Sequence, residues 1–399
     1  MGIDLFSFAE YLAACCEDEG EENPPQPWRR RVEGLRRISQ RYLGALLRGA
    51  LFLIPMKQSA RKKIAILGAR YGNLGVEERM LGPFGAMLAE GKGLTEEEII
   101  EVSEGAEVIL CGGAPKITGS TIKQLPNLRG IVRYGIGVDT VDLQEATRHG
   151  IFVANVPDYC IEEVATHALT LILSWARKLP IAQKSTRSGK WEIGILKPLQ
   201  SPRDSILGLV GFGRIAQTLA SMARRIGFQV HATDPYVDKS VMMKKRITPC
   251  RFDDLIRSAD FISLHLPLTP QSRHLIGAQT LRRMKPTAYL INTSRGGLID
   301  ENALFEALKK GWIAGAALDV LEEEPWNVNS PLRALENLIV TPHSAWYTER
   351  AQTELRRKAC AEVIRILRGK VPKNLVNGEV LKDKRQSRHW TRGRASVIR

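Results

Sequence analysis

The chain has 399 residues, 44% of them hydrophobic and 25% charged; this excludes a wholly disordered or fibrous protein, and the length suits two or three domains. Six cysteines, Cys15, Cys16, Cys111, Cys160, Cys250 and Cys360, form no C-x-x-C pair, which speaks against a disulfide scaffold or a zinc ribbon and for a reducing, cytoplasmic setting with no metal site. The net charge of +15 sits largely at the ends.

Residues 1–28 carry seven acids and no base, 29–63 eleven bases and one acid, and 381–399 seven bases and one acid. These ends read as solvated segments. Without a recognisable motif or aromatic interleaving, nucleic acid is not an expected partner. The apolar stretch Leu43–Ile54 is interrupted by Arg48 and is too short to cross a membrane. The compact protein is expected to begin near Met56, after the break Asn23-Pro24-Pro25-Gln26-Pro27, with 1–61 as a partly disordered extension and 378–399 as a basic tail.

From Lys63 onward short apolar runs alternate with helical stretches. Ile64–Gly68, Ala106–Cys111, Leu128–Arg133 and Ile151–Ala154 read as strands, and Val76–Glu90 as a helix broken near Pro83. A long apolar helix is expected from Glu162 to Arg177, followed by a loop rich in Ser, Gly and Pro. Six more strands follow: Ile206–Val210, Gln229–Thr233, Phe261–His265, Thr287–Thr293, Ala314–Val320 and Leu338–Thr341. The last long helix runs from Thr348 to Leu367 and stops at Gly369, with Pro372 beyond. Alternation of this kind means parallel strands joined by crossover helices, the pattern of doubly wound α/β sheets.

One turn carries binding chemistry. The strand ending at Val210 runs into Gly211-Phe212-Gly213-Arg214-Ile215-Ala216, a G-x-G-x-x-A at a strand-to-helix junction. Gly211 allows the tight turn, Gly213 lets backbone approach a pyrophosphate, and Ala216 lets helix and strand pack closely. The next strand ends at Asp234, where a carboxylate accepts ribose hydroxyls of NAD and repels the 2′-phosphate of NADP. Three later loops each place one reactive group after a strand: Arg295 before Gly296-Gly297, Glu324 before Pro325, and His343 in Thr341-Pro342-His343-Ser344-Ala345-Trp346.

Together these segments resemble the D-isomer-specific 2-hydroxyacid dehydrogenase family from about Lys63 to Asn377. The likeness rests on Arg133-Tyr134-Gly135-Ile136-Gly137-Val138-Asp139, the glycine turn with Asp234, Asn292–Asp300, Asp319–Pro325 and Thr341–Tyr347. Asn155–Cys160, Glu162-Glu163-Val164 and His343–Tyr347 look most like the branch of the C-terminal-binding proteins; phosphoglycerate dehydrogenase is a more distant match. The resemblance implies two doubly wound domains. A Rossmann-type NAD domain (160–344) would be inserted into a flavodoxin-like substrate domain (62–159 and 345–377), in a homodimer.

The resemblance also implies roles. Arg295 would hold and polarise a 2-keto or 2-hydroxy acid, His343 would be the acid/base and Glu324 would orient it. Backbone N–H groups of Gly135, Ile136 and Gly137, with Trp346, would complete the substrate site. NAD contacts would fall on Gly211, Gly213, Arg214, Ile215, Asp234, Leu266, Thr293, Ser294, Arg295, Asp319 and His343, with Asp319 facing the nicotinamide carboxamide. Ile136 has no hydroxyl where many relatives have Ser or Thr, and Ser205 stands where relatives often have Gly. The activity implied is NAD-dependent oxidation and reduction of D-2-hydroxy acids. The alternatives are a dinucleotide-sensing scaffold, as in the corepressor members of the branch, or a phosphoglycerate dehydrogenase specifically.

Overall fold

The computed structural model describes residues 62–69 and 71–382. They belong to the second of two compact units, 61–399. The expectations for 1–61 and 383–399, including Cys15 and Cys16, lie outside the described residues.

Two parallel sheets make up this unit. The first has the order β2-β1-β3-β4-β5, built from β1 (Lys62–Leu67), β2 (Ala86–Gly91), β3 (Val108–Cys111), β4 (Gly130–Arg133) and β5 (Phe152–Ala154). The second has the order β12-β11-β10-β9-β6-β7-β8. Its strands are β6 (Ile206–Val210), β7 (Gln229–Thr233), β8 (Thr248–Pro249), β9 (Phe261–Leu264), β10 (Tyr289–Asn292), β11 (Gly315–Leu318) and β12 (Leu338–Val340). β3, β4, β5, β9, β10 and β11 are buried along their whole length, as strands covered by helices on both faces must be. Both orders reverse once, between β1 and β3 and between β6 and β9. Doubly wound sheets bind ligands at such points, beyond the carboxyl ends of the strands.

Two long helices each cover one of the sheets. Glu349–Leu367 lies last in the chain, yet it packs Leu355, Ala359, Cys360, Val363 and Ile366 against Ile64, Val108 and Val132 of the first sheet. Ile161–Ala176 buries Ala165, Ala168, Leu171, Ile172 and Trp175 against Leu207, Phe261 and Tyr289 of the second. The Trp175 indole N–H donates to the carbonyl of Ala316 at 2.9 Å.

Three expectations need correction. The segment 76–90 is not a single broken helix. A helix spans Gly75–Leu81, and Ala86–Gly91 is an edge strand paired with β1 along its length. Ala, Met, Leu and Glu favour helix, but the helix passes into a 3-10 turn, Gly82–Phe84, that ends at Gly85 with a left-handed φ of 73°, and six residues of parallel pairing override propensity. The Ser-, Gly- and Pro-rich segment after residue 177 contains a helix, Leu179–Arg187, none of whose residues is buried, so no apolar stripe announced it. The second sheet has seven strands, because Thr248–Pro249 forms a two-residue edge.

Candidate active site

The carboxyl ends of both sheets face one cleft of about 630 Å³. Gly135, Ile136, Gly137 and Trp346 line it together with Gly213, Arg214, Ile215, Leu266, Thr293, Ser294, Arg295, Asp319, Glu324 and His343. Gly211, in the glycine turn, and Asp234, just after β7, are not among its lining residues.

Gly211 has φ 91°, and a Cβ there would press on the backbone of His265 and Leu266. Gly213 has open space where its Cβ would be, and it starts the helix Arg214–Ile226 with no side-chain cap. The N–H groups of that first turn are left for an anion. Ala216 is fully buried where this helix meets the sheet. Arg214 reaches across the cleft to the carbonyl of Pro157 at 3.1 Å. Asp234 is pinned by two backbone donors, the N–H of Phe212 at 2.7 Å and that of Tyr236 at 2.8 Å. Thr293 is 8% exposed and its hydroxyl oxygen is buried without a hydrogen-bond partner. An uncapped helix end, an open glycine and an orphaned hydroxyl fit a bound dinucleotide. Desolvation pushes the imidazole of neighbouring His265 down to about 4, so it faces the cleft neutral.

Arg295 enters from the loop after β10. The carbonyl of Arg295 accepts the Asn292 amide at 2.8 Å, and Ser294 Oγ donates to the carbonyl of Leu264 at 2.6 Å. The guanidinium is aimed by two acceptors. Nε donates to Asp139 Oδ2 and Nη1 to the carbonyl of Ser294, both at 2.6 Å. A Cβ at Gly137 would occupy the place of this guanidinium, which makes residue 137 a steric requirement for Arg295.

The loop that Arg295 meets follows β4. Its carbonyls are taken: Gly135 by the N–H of Val156 at 2.9 Å, Ile136 by the Asn155 amide at 2.7 Å, Gly137 by Arg133 Nε at 3.1 Å. The N–H groups of Gly135, Ile136 and Gly137 make no hydrogen bond among the described residues. A concavity of free N–H groups beside a guanidinium suits a carboxylate.

His343 follows β12. Its Nδ1 lies 2.7 Å from Oε2 of Glu324, which leaves Nε2 as the proton-exchanging nitrogen. The other Glu324 oxygen accepts the N–H of Leu321 at 3.1 Å. His343 has φ 52°, a left-handed backbone costing roughly 1–3 kcal/mol in a residue with a side chain. Asp319 holds it there. Asp319 is 1% exposed, and its carboxylate accepts the Thr341 hydroxyl at 2.5 Å and the N–H groups of Ser344 and Ala345 at 2.9 Å each. The carboxylate expected to face the carboxamide is therefore largely occupied in holding the loop of His343.

Sequence reading passed over several groups at the site. Asp139 closes the quoted motif Arg133–Asp139, yet nothing in its spacing foretold a partner 156 residues away. Tyr71, Tyr134 and Tyr159 line the apolar end of the cleft beside Trp346, where Tyr159 and Trp346 rings lie 6.1 Å apart. Cys160 lines it too, with its thiol pushed up to about 12 by burial, and so unreactive. Among the described residues no cluster of His, Cys, Asp and Glu could hold a metal ion, and no helix is long and apolar enough to cross a membrane.

Residues 169–345 match the family model described as D-isomer specific 2-hydroxyacid dehydrogenase, NAD binding domain. The chain is 36% identical over 291 residues to a glyoxylate reductase of Korarchaeum cryptofilum, covering 72% of this chain and 88% of that protein. It is 40% identical over 286 residues to a D-3-phosphoglycerate dehydrogenase of Methanocaldococcus jannaschii, covering 71% of this chain but only 54% of that relative, so it spans about half of it. Among solved structures, a D-lactate dehydrogenase of Aquifex aeolicus complexed with NAD and lactic acid matches with a TM-score of 0.72 at 25% identity, covering 79% of this chain and 99% of that one.

Proposed function

Because this chain belongs to the D-isomer-specific 2-hydroxyacid dehydrogenase family, whose relatives are NAD-dependent oxidoreductases, we propose that it interconverts a 2-keto acid and a D-2-hydroxy acid through Arg295, His343 and Glu324. One observation carries this reading. The His343–Glu324 pair, at 2.7 Å, shares a cleft with the Arg295 guanidinium and the open N–H groups of Gly135–Gly137.

NADH, when bound, supplies the hydride. The chain's own residues do the rest. The N–H groups of the Gly135–Gly137 loop receive the substrate carboxylate. Arg295, already aimed by Asp139 and Ser294, turns its remaining N–H donors to the carboxylate and the keto oxygen and draws electron density toward that oxygen. Glu324 keeps Nδ1 of His343 protonated and stabilises the imidazolium, so Nε2 delivers a proton to the keto oxygen in reduction and takes it back in oxidation. Asp234 receives the ribose hydroxyls at the glycine turn.

In this reading 160–344 form the cofactor domain, inserted between 62–159 and 345–377, and the protein works as a homodimer. Supporting the dimer, Leu179, Trp191 and Ile193 are 55%, 91% and 80% exposed within one short segment, a concentration of bare apolar surface that suits a second copy. The test is NADH oxidation over a panel of 2-keto acids, with chiral analysis of the product. No turnover above background, or an L-hydroxy acid product, overturns it.

A further inference from the structure

One hydroxyl proton cannot be given twice, and this settles the direction of a hydrogen-bond chain behind the cleft. Thr341 Oγ1 lies 2.5 Å from Oδ1 of Asp319 and 3.1 Å from Nε2 of His167. Asp319, as a carboxylate, has no proton to give, so the Thr341 proton points to it and His167 Nε2 must be the donor. Donation therefore runs from His167 to Thr341 to Asp319. The Asp319 carboxylate also receives the N–H groups of Ser344 and Ala345, and its backbone carbonyl receives the N–H of His343 at 2.9 Å. The three members come from different elements. His167 lies on the helix Ile161–Ala176, Asp319 just after β11 and Thr341 just after β12.

We propose that His167 is a positioning residue for the loop that carries His343: its Nε2–H fixes the Thr341 hydroxyl, which fixes the Asp319 carboxylate, which clamps the backbone just after the imidazole at Ser344 and Ala345. The inference rests on the acid–base role given to His343 above. His167 touches neither Glu324 nor the imidazole of His343, and it is absent from the lining of the cleft. Its side chain faces a separate polar cleft with Glu163, Ser344 and Thr348. It acts through this chain and through its own Nε2, which lies 3.6 Å from Oδ1 of Asp319. Without it the Thr341 hydroxyl is free to rotate, Asp319 loses the geometry of one of its three close donors, and the left-handed backbone at His343 is less firmly held.

The experiment compares His167→Ala, His167→Gln, Thr341→Val and the double variant His167→Ala/Thr341→Val in the full chain, with NADH and glyoxylate or pyruvate as probes. In His167→Ala, kcat falls roughly 10-fold while KM and the NADH dissociation constant stay within about twofold, because the fault lies in placing the acid–base group. His167→Gln, whose amide can donate to Thr341, recovers most of the loss. The double variant loses less than the product of the two single losses, since both substitutions act on the same carboxylate of Asp319. A second readout is independent of turnover: in a histidine-labelled NMR spectrum, the His343 imidazole resonance, assigned with His343→Asn, shifts in His167→Ala and returns in His167→Gln. A resonance unmoved by His167→Ala, or a Gln variant as damaged as Ala in that spectrum, overturns the positioning role. Absence of keto-acid turnover in the unmodified protein instead overturns the acid–base reading and leaves the spectrum to decide the chain.

Discussion

Cofactor choice offers the sharpest test, because the geometry around Asp234 gives it a magnitude. Both carboxylate oxygens are held by backbone N–H groups, at 2.7 and 2.8 Å, so Asp234 cannot swing away from a 2′-phosphate. A phosphate charge of about −2 placed about 5 Å from this carboxylate costs about 2 kcal/mol in the dielectric of water and about 7 kcal/mol at an effective dielectric of about 20. Asp234 is half-buried at the rim, so the lower figure is the safer floor, and it corresponds to roughly 20-fold. The ratio of kcat/KM for NADH to that for NADPH, measured at one saturating keto acid, should be at least of that order. Asp234→Asn removes the charge, keeps one oxygen for the Phe212 N–H, and should bring the ratio within about threefold of unity. Raising the salt should shrink the ratio in the unmodified protein and leave it alone in the variant. Equal efficiency with both cofactors in the unmodified protein would show that the 2′-position does not meet Asp234.

His343→Ala should lose turnover by roughly 10²–10⁴-fold while NADH still binds, as expected when a general acid–base is removed, and stopped-flow hydride transfer checks this; Glu324→Gln should be milder. Gly137→Ala sets a methyl group where the Arg295 guanidinium lies; kcat/KM should drop roughly 100-fold with NADH affinity intact, and an unchanged rate would mean that Arg295 works from another position. Trp191→Glu should convert a dimer into monomer by light scattering, and a dimer that survives it is built on another surface. His265 is held at about 4 against an ordinary 6.5, so between those values the unfolded chain takes up a proton that the native one refuses. Stability should be full above pH 6.5 and decline as the pH falls toward 4; a melting-temperature profile that is no flatter in His265→Gln would count against this.

Much of the binding half of the site was legible in the linear chain. The glycine turn depends on short-range rules: a strand must end, backbone must turn with φ above zero, and a helix must begin with open N–H groups. Such rules act over about six residues, so they survive in sequence order. The strands of the first sheet were equally plain where they are buried on both faces, as in β3 and β4. The edge strand Ala86–Gly91 was not, because an edge has one partner and little apolar pattern, and its residues favour helix when read alone.

Residue types and loop positions, then, were determined by the sequence: a G-x-G-x-x-A at a strand end, an acid after the next strand, and Arg295, Glu324 and His343 each just beyond a strand. Which groups meet was decided only in three dimensions. Asp139 aims Arg295 across 156 residues of chain, and Asp319 clamps the backbone around His343 rather than standing free toward the cofactor. The first contact joins the ends of strands in two separate sheets, and the second joins the ends of the paired strands β11 and β12. Their energies come from burial and from donors that find one acceptor in the assembled fold, and no local pattern records which partner that will be.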